Sequence, residues 1–225
     1  MRIYTLLLVF LLLAQAGLGQ HRFGIMPQIN TDFKLGNYLK VNTKLENRFI
    51  LYQNPLEDAG SRSEYERTDL EVVVTGTRGL LTNFGAGYLI RRNNSDGTFM
   101  HRAIQQYSAA QPWGDLLLAH RFRTDQTFEK DEAVQYRLRY RLSLEKPLNG
   151  QRVDPREFYL KFNNEYLGSL QDSKANLEIR LLGALGYNHS EDDQLEIGLD
   201  YRAENLVGSG TENLLWLTLG WYHSF

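Results

Sequence analysis

Arginines at every second position are the most distinctive chemistry in this 225-residue sequence: Arg121 and Arg123 on one short segment, then Arg137, Arg139 and Arg141 on the next. A spacing of two puts such side chains on one face of an extended chain. Asp125 shares the face of Arg121 and Arg123, and the segments that follow place Glu157, Glu165, Glu178, Glu196 and Asp200 at the same alternation, with Arg180 among them. Inside a closed sheet these guanidinium and carboxylate groups would meet as paired, hydrogen-bonded networks. The expectation is an arginine wall facing an acidic wall across a lumen. A water-filled path whose selectivity is set by the arginines is the second reading. On an open soluble sheet the same residues would be no more than a solvated face.

Nucleophilic or general-base chemistry is less well marked. The five histidines are His21, His101, His120, His189 and His223. His101 and His120 could be paired with Asp125 or Ser108, but no serine sits in a nucleophile-like turn. No His-x-x-x-His spacing suggests a metal site, and the carboxylates of Glu57-Asp58 and Asp192-Asp193 read as solvated turns. No catalytic residue, metal ligand or cofactor is expected, and each histidine reads as a hydrogen-bonding residue of the lumen or interface.

The elements that must hold the arginines are strands. Residues 133–145 alternate without exception, with Val134, Tyr136, Leu138, Tyr140, Leu142 and Leu144 opposite Gln135, Arg137, Arg139, Arg141, Ser143 and Glu145. A helix would mix these two sets. The same period runs through 38–52, 65–77, 83–91, 115–128, 157–167, 177–189 and 195–201. Residues 101–108 pair with 115–128 as a hairpin whose turn would be 109–114. The closing segment, 214–225 (LLWLTLGWYHSF), puts Leu215, Leu217, Leu219, Trp221 and Phe225 on one face, and Thr218, Gly220, Tyr222 and Ser224 on the other. That is how a lipid-facing strand alternates. Phe23 to Leu35 contains Pro27 and is a strand at best on an edge or at a bulge. Counting it gives eleven strands. Single-chain bacterial barrels favour even numbers with both termini on one side, so ten strands are expected with this segment dropped, or twelve with another segment split.

Residues 1–19 read as a cleaved signal peptide: Arg2, then an apolar run from Ile3 to Leu13, then small and polar residues. Eleven apolar residues fall short of the roughly 20 needed to span a bilayer as a helix. Cleavage could follow Ala16 or Gly19, and the second is preferred. No later stretch is long and apolar enough for a spanning helix. The chain has no cysteine, hence no disulfide framework and no lipid-modified N-terminal Cys. The formal charge of −2 becomes −3 once Arg2 leaves, a balance that does not favour nucleic acid. Aromatics form 12% of the residues, which suits the girdles of a barrel, while a mean hydropathy of −0.43 excludes a helical membrane protein.

With this signal, His101-Arg102 followed by Gln105-Gln106, His120 to Arg123, Arg137 to Arg141, Leu182 to Tyr187 and the terminal Phe225, the chain resembles the bacterial family called domain of unknown function 2490. The resemblance implies a small outer-membrane β-barrel in Gram-negative envelopes and no established activity. Trp221 and Phe225 resemble the C-terminal signal by which the barrel-assembly machinery recognises such strands. His223 departs from it, standing where that signal has an apolar residue.

Together these observations lead us to expect an all-β protein: an antiparallel transmembrane β-barrel of 10 to 12 strands, one domain over residues 20–225. It would be a monomer in the outer membrane, in contact with lipid and lipopolysaccharide, and either structural or a narrow, porin-like channel. The alternatives are an outer-membrane enzyme acting on lipid, ester or peptide, and a soluble periplasmic β-sandwich or barrel that binds a ligand.

Overall fold

A computed structural model describes residues 20–54, 63–78, 81–208 and 210–225. The signal segment 1–19 and most of the loop expected at 54–63 lie outside the described residues. Strands β1 (Gln20–Leu35), β2 (Leu39–Asn54), β3 (Glu64–Arg78), β4 (Thr82–Asn93), β5 (Phe99–Trp113) and β6 (Leu116–Phe128) lead into β7 (Gln135–Pro147), β8 (Glu157–Gln171), β9 (Lys174–Asn188), β10 (Asp193–Glu204) and β11 (Glu212–Ser224). Each pairs antiparallel with the next, and β1 closes the barrel against β11.

The closure corrects the expected even count. Eleven strands joined up and down leave the first and last running the same way, so the seam is parallel, from Gln20↔Glu212 to Asp32↔Ser224. A parallel ladder bonds nearly as well as an antiparallel one; the even rule comes from where the termini lie, not from sheet chemistry. Residue 20 and Phe225 consequently sit at opposite rims. The Pro27 segment is a full strand. Its pairing with β2 stops at Ile25↔Phe49 and resumes at Gln28↔Glu46, so Met26 and Pro27 fall in a gap of that ladder.

Side chains hold the seam from both faces. Inside, Trp216 is 1% exposed and packs with Met26, Ile50 and Leu214. Gly24 makes room for it, since a Cβ there would overlap the Trp216 ring and the Phe49 carbonyl. Gln28 donates its Nε2 to the Tyr222 hydroxyl at 3.0 Å. Outside, Phe225 stacks on Phe33 at 4.4 Å, and its backbone N–H donates to the Asp32 carbonyl at 2.8 Å.

Two turns are tighter than the sequence suggests. The β5–β6 ladder runs on through Ala109↔His120 to Trp113↔Leu116, which leaves only Gly114 and Asp115 to turn instead of 109–114. The polar stretch 169–175 is likewise ladder up to Gln171↔Lys174, turning at Asp172 and Ser173, both at positive φ (45° and 62°). Two such residues match the twist of the flanking strands. In the β4–β5 turn, the Thr98 backbone N–H and hydroxyl both donate to Asp96, which holds that carboxyl below its ordinary range.

The same close approach occurs at Gly186, where a Cβ would overlap the Tyr159 ring. Tyr159 is 1% exposed and covers this glycine from the neighbouring strand. We expect Gly186→Val to destabilise the barrel by about 1–3 kcal/mol through overpacking. Denaturant unfolding checks this, and Gly168→Val, at a site with open space, is the control.

Candidate functional site in the barrel lumen

Alternation decides which side chains meet inside. Among the described residues the buried set holds eighteen polar or charged side chains against eleven apolar ones. The large apolar residues face out, and all eleven strands expose at least one, from Phe33 on β1 to Trp221 on β11. The interior contains a cavity of about 450 Å³ lined mainly by charged groups.

Two carboxylates organise the arginines. Asp125, fully buried, receives Arg123 Nε at 2.8 Å, Arg137 Nη2 at 3.0 Å and Arg139 Nη2 at 2.8 Å. Glu165, 2% exposed, receives Arg141 Nε at 2.9 Å and Arg121 Nη2 at 3.2 Å, with Arg180 Nη1 at 3.3 Å and Arg139 Nη1 at 3.8 Å. Burying so many charges is tolerable only because they are paired and hydrogen-bonded. These two acids stand within or beside the arginine strands: Asp125 shares β6 with Arg121 and Arg123, and Glu165 is on β8, next to β7.

The remaining acids singled out from the sequence each have a partner, although one oxygen of Asp200, Oδ1, is buried without one among the described residues. Glu178 accepts from Arg180 and Asp200 from Arg202, each pair two residues apart on one strand face. Glu196 accepts from Tyr159 at 2.8 Å, Lys161 at 2.7 Å and Tyr222 at 2.9 Å. Glu157 does not join the network: it sits at the rim and accepts the Asp154 backbone N–H at 3.2 Å.

Several lumen residues were not singled out from the sequence. Arg123 also reaches Glu71 on β3 with both terminal nitrogens, at 3.0 and 2.7 Å. Glu46 takes Arg48 at 2.8 Å, and Arg48 lies 5.4 Å over the Trp216 ring. Asp69 takes Arg91 through two 2.7 Å bonds. For Glu46 with Arg48 and Arg67 with Asp69 the sequence signal is an acid and an arginine two apart; Glu71 and Arg91 have no such neighbour. Arg67 and Arg102 also line the cavity.

The histidines form no catalytic set among the described residues. His120 Nδ1 lies 2.9 Å from the Tyr140 hydroxyl and His101 packs by Tyr88, both on outward faces. At the Phe225 rim, Ser190 Oγ contacts Asp193 Oδ2 at 3.3 Å, and His223 Nδ1 contacts Asp193 Oδ1 at 2.8 Å. The serine is thus bonded to the acid and not to the imidazole, so the three do not form a serine–histidine–acid relay. Trp221 also donates Nε1 to Asp193, at 3.0 Å, which leaves its ring on the outer face. No cluster of three or more His, Asp or Glu suited to a metal occurs among the described residues.

Comparison with known proteins gives one match. Residues 23–213 fit the family model described as "Protein of unknown function (DUF2490)". No curated protein and no solved structure matches.

Proposed function

We propose that this chain, which belongs to the DUF2490 family of proteins of unknown function, is an outer-membrane β-barrel whose interior is closed by its own ion pairs and whose role is structural. One observation carries the reading: all eleven strands expose large apolar side chains outward, while the buried set holds eighteen polar or charged side chains against eleven apolar ones. Soluble domains bury their large apolar residues and rarely expose contiguous apolar surface. Here Leu195, Ile197 and Leu199 are about half exposed in succession on β10, while the intervening Glu196 and the following Asp200 are buried. In a bilayer this arrangement satisfies both solvents. The signal read at 1–19 and the absence of cysteine agree with export. The outward Trp221 ring and Phe225, seated at the seam, suit recognition by the barrel-assembly machinery. Lipid and lipopolysaccharide would cover the apolar face, and the barrel would act as a monomer.

The Asp125 and Glu165 clusters favour a closed lumen over an open channel, because each spans neighbouring strands with arginines whose bonds would have to break to admit a stream of ions. The test is fractionation of cells with gel mobility of boiled and unboiled samples, followed by recording in planar bilayers. We expect recovery with the outer membrane, a heat-dependent mobility shift and no discrete conductance steps. Recovery in the soluble periplasm without a shift would overturn the membrane assignment. Discrete steps altered by Arg137→Ser with Arg139→Ser and Arg141→Ser would replace the structural role with that of a channel.

A further inference from the structure

The lumen holds more positive charge than it neutralises. Thirteen lysines and arginines line the cavity against seven carboxylates; Asp125, Glu196 and Glu66, which lie behind or beside lining cations, still leave three positive charges in excess. The excess has a location. Arg67, Arg91, Arg102 and Arg137 lie on β3, β4, β5 and β7, each two or three residues inside the rim where residue 20 sits.

Arg102 is 4% exposed and gives Nε to the Thr127 hydroxyl at 2.9 Å, which orients the guanidinium. Among the described residues it forms no ion pair; the acid that acts on it is Asp125, already shared by Arg123, Arg137 and Arg139. Arg67 makes no hydrogen bond among the described residues; its nearest acid is the adjacent Glu66, at 3.9 Å. Arg137 spends one nitrogen on the shared Asp125, and its buried Nε has no partner. Arg91 is a charged neighbour of all three. A buried guanidinium without an acceptor is unfavourable, and several around one cavity form a site waiting for an anion.

We infer that this end of the lumen binds a tetrahedral oxyanion, a phosphate group held by Arg67, Arg102 and Arg137. A guanidinium fork takes two oxygens at once, so the forks of Arg67 and Arg102, with the nitrogens that Arg137 has left after Asp125, match a dianion with four acceptors. A carboxylate offers two oxygens and one charge, and would leave a fork unpaired. The source is free phosphate entering from the rim, since Arg67, Arg102 and Arg137 all line the cavity inside the barrel wall. The site requires only the closed barrel and stands apart from where the barrel resides in the cell.

The experiment is equilibrium dialysis and calorimetry of the full barrel, folded in zwitterionic detergent at low salt, against inorganic phosphate, sulfate and acetate. We expect one saturable site for phosphate, similar affinity for sulfate, and at least tenfold weaker binding of acetate. Arg102→Gln should weaken phosphate tenfold or more, while Arg141→Gln, which removes a cation already paired with Glu165, should leave it within about twofold. Where Arg102→Gln does not give the heat-dependent mobility of a folded barrel, Arg102→Lys is read in its place; losing the fork should still weaken phosphate. No saturable binding by the unaltered protein, equal affinity for acetate, or undiminished binding in the folded Arg102 variant would overturn the assignment.

Discussion

Replacing Glu165 with Gln should be among the most destabilising single changes in this barrel. The carboxylate is buried and faces four arginines, of which Arg121, Arg141 and Arg180 lie within 3.3 Å. Its loss leaves Arg121 and Arg141 without an ion-pair partner among the described residues, while Arg180 keeps Glu178 and Arg139 keeps Asp125. Breaking a buried ion pair by removing one partner costs about 3–5 kcal/mol, a large part of the ~5–15 kcal/mol by which a domain is stable. The expected result is a marked fall in the urea midpoint followed by tryptophan fluorescence, and a smaller heat-modifiable fraction. Combining Glu165→Gln with Arg141→Gln should recover part of the loss, because residues in one network couple by about 0.5–3 kcal/mol. Glu157→Gln, at the rim and outside the network, should stay within about 0.5 kcal/mol of the unaltered protein. If Glu165→Gln proved as mild as Glu157→Gln, the two-hub description of the lumen would be wrong.

The second large effect separates a lipid environment from an aqueous one. Leu199 is 52% exposed near the middle of β10, between Leu217 and Gly183 on the flanking strands. On a soluble protein an exposed Leu→Arg change away from special features moves stability by no more than about 0.5 kcal/mol. At a bilayer midplane the same charge on the lipid face costs about 2–4 kcal/mol, falling to ~0–1 near the interfaces. Leu199→Arg should therefore destabilise the barrel strongly in lipid vesicles, and Leu195→Arg, near the rim, much less. The measurement is denaturant unfolding of both variants reconstituted in vesicles. Equal, small effects would sink the membrane reading while leaving the fold intact.

Alternation made most of the barrel legible. On β7 the unbroken period places Arg137, Arg139 and Arg141 inside, and the structure keeps all three at the lumen. Leu215, Leu219 and Trp221 face out on β11 as the pattern required. The strand ends were read short, because polar residues such as Gln171 and Lys174 still form ladder pairs next to a two-residue turn. The Pro27 segment was set aside for a sound local reason, a missing N–H; the structure leaves that stretch in a gap of the β1–β2 ladder and pairs it on the β11 side.

By itself the sequence determined which face of each strand is charged, since a period of two is a local property that no partner can change. It could not say which charge meets which. Register and strand order alone bring Arg123 to Glu71 fifty-two residues away and gather Arg121, Arg139, Arg141 and Arg180 on one carboxylate. Closure was decided there too. Whether an eleventh strand completes a ring depends on the fit of Gly24 against Trp216 and of Phe33 against Phe225, contacts between chain ends nearly two hundred residues apart that no local pattern contains.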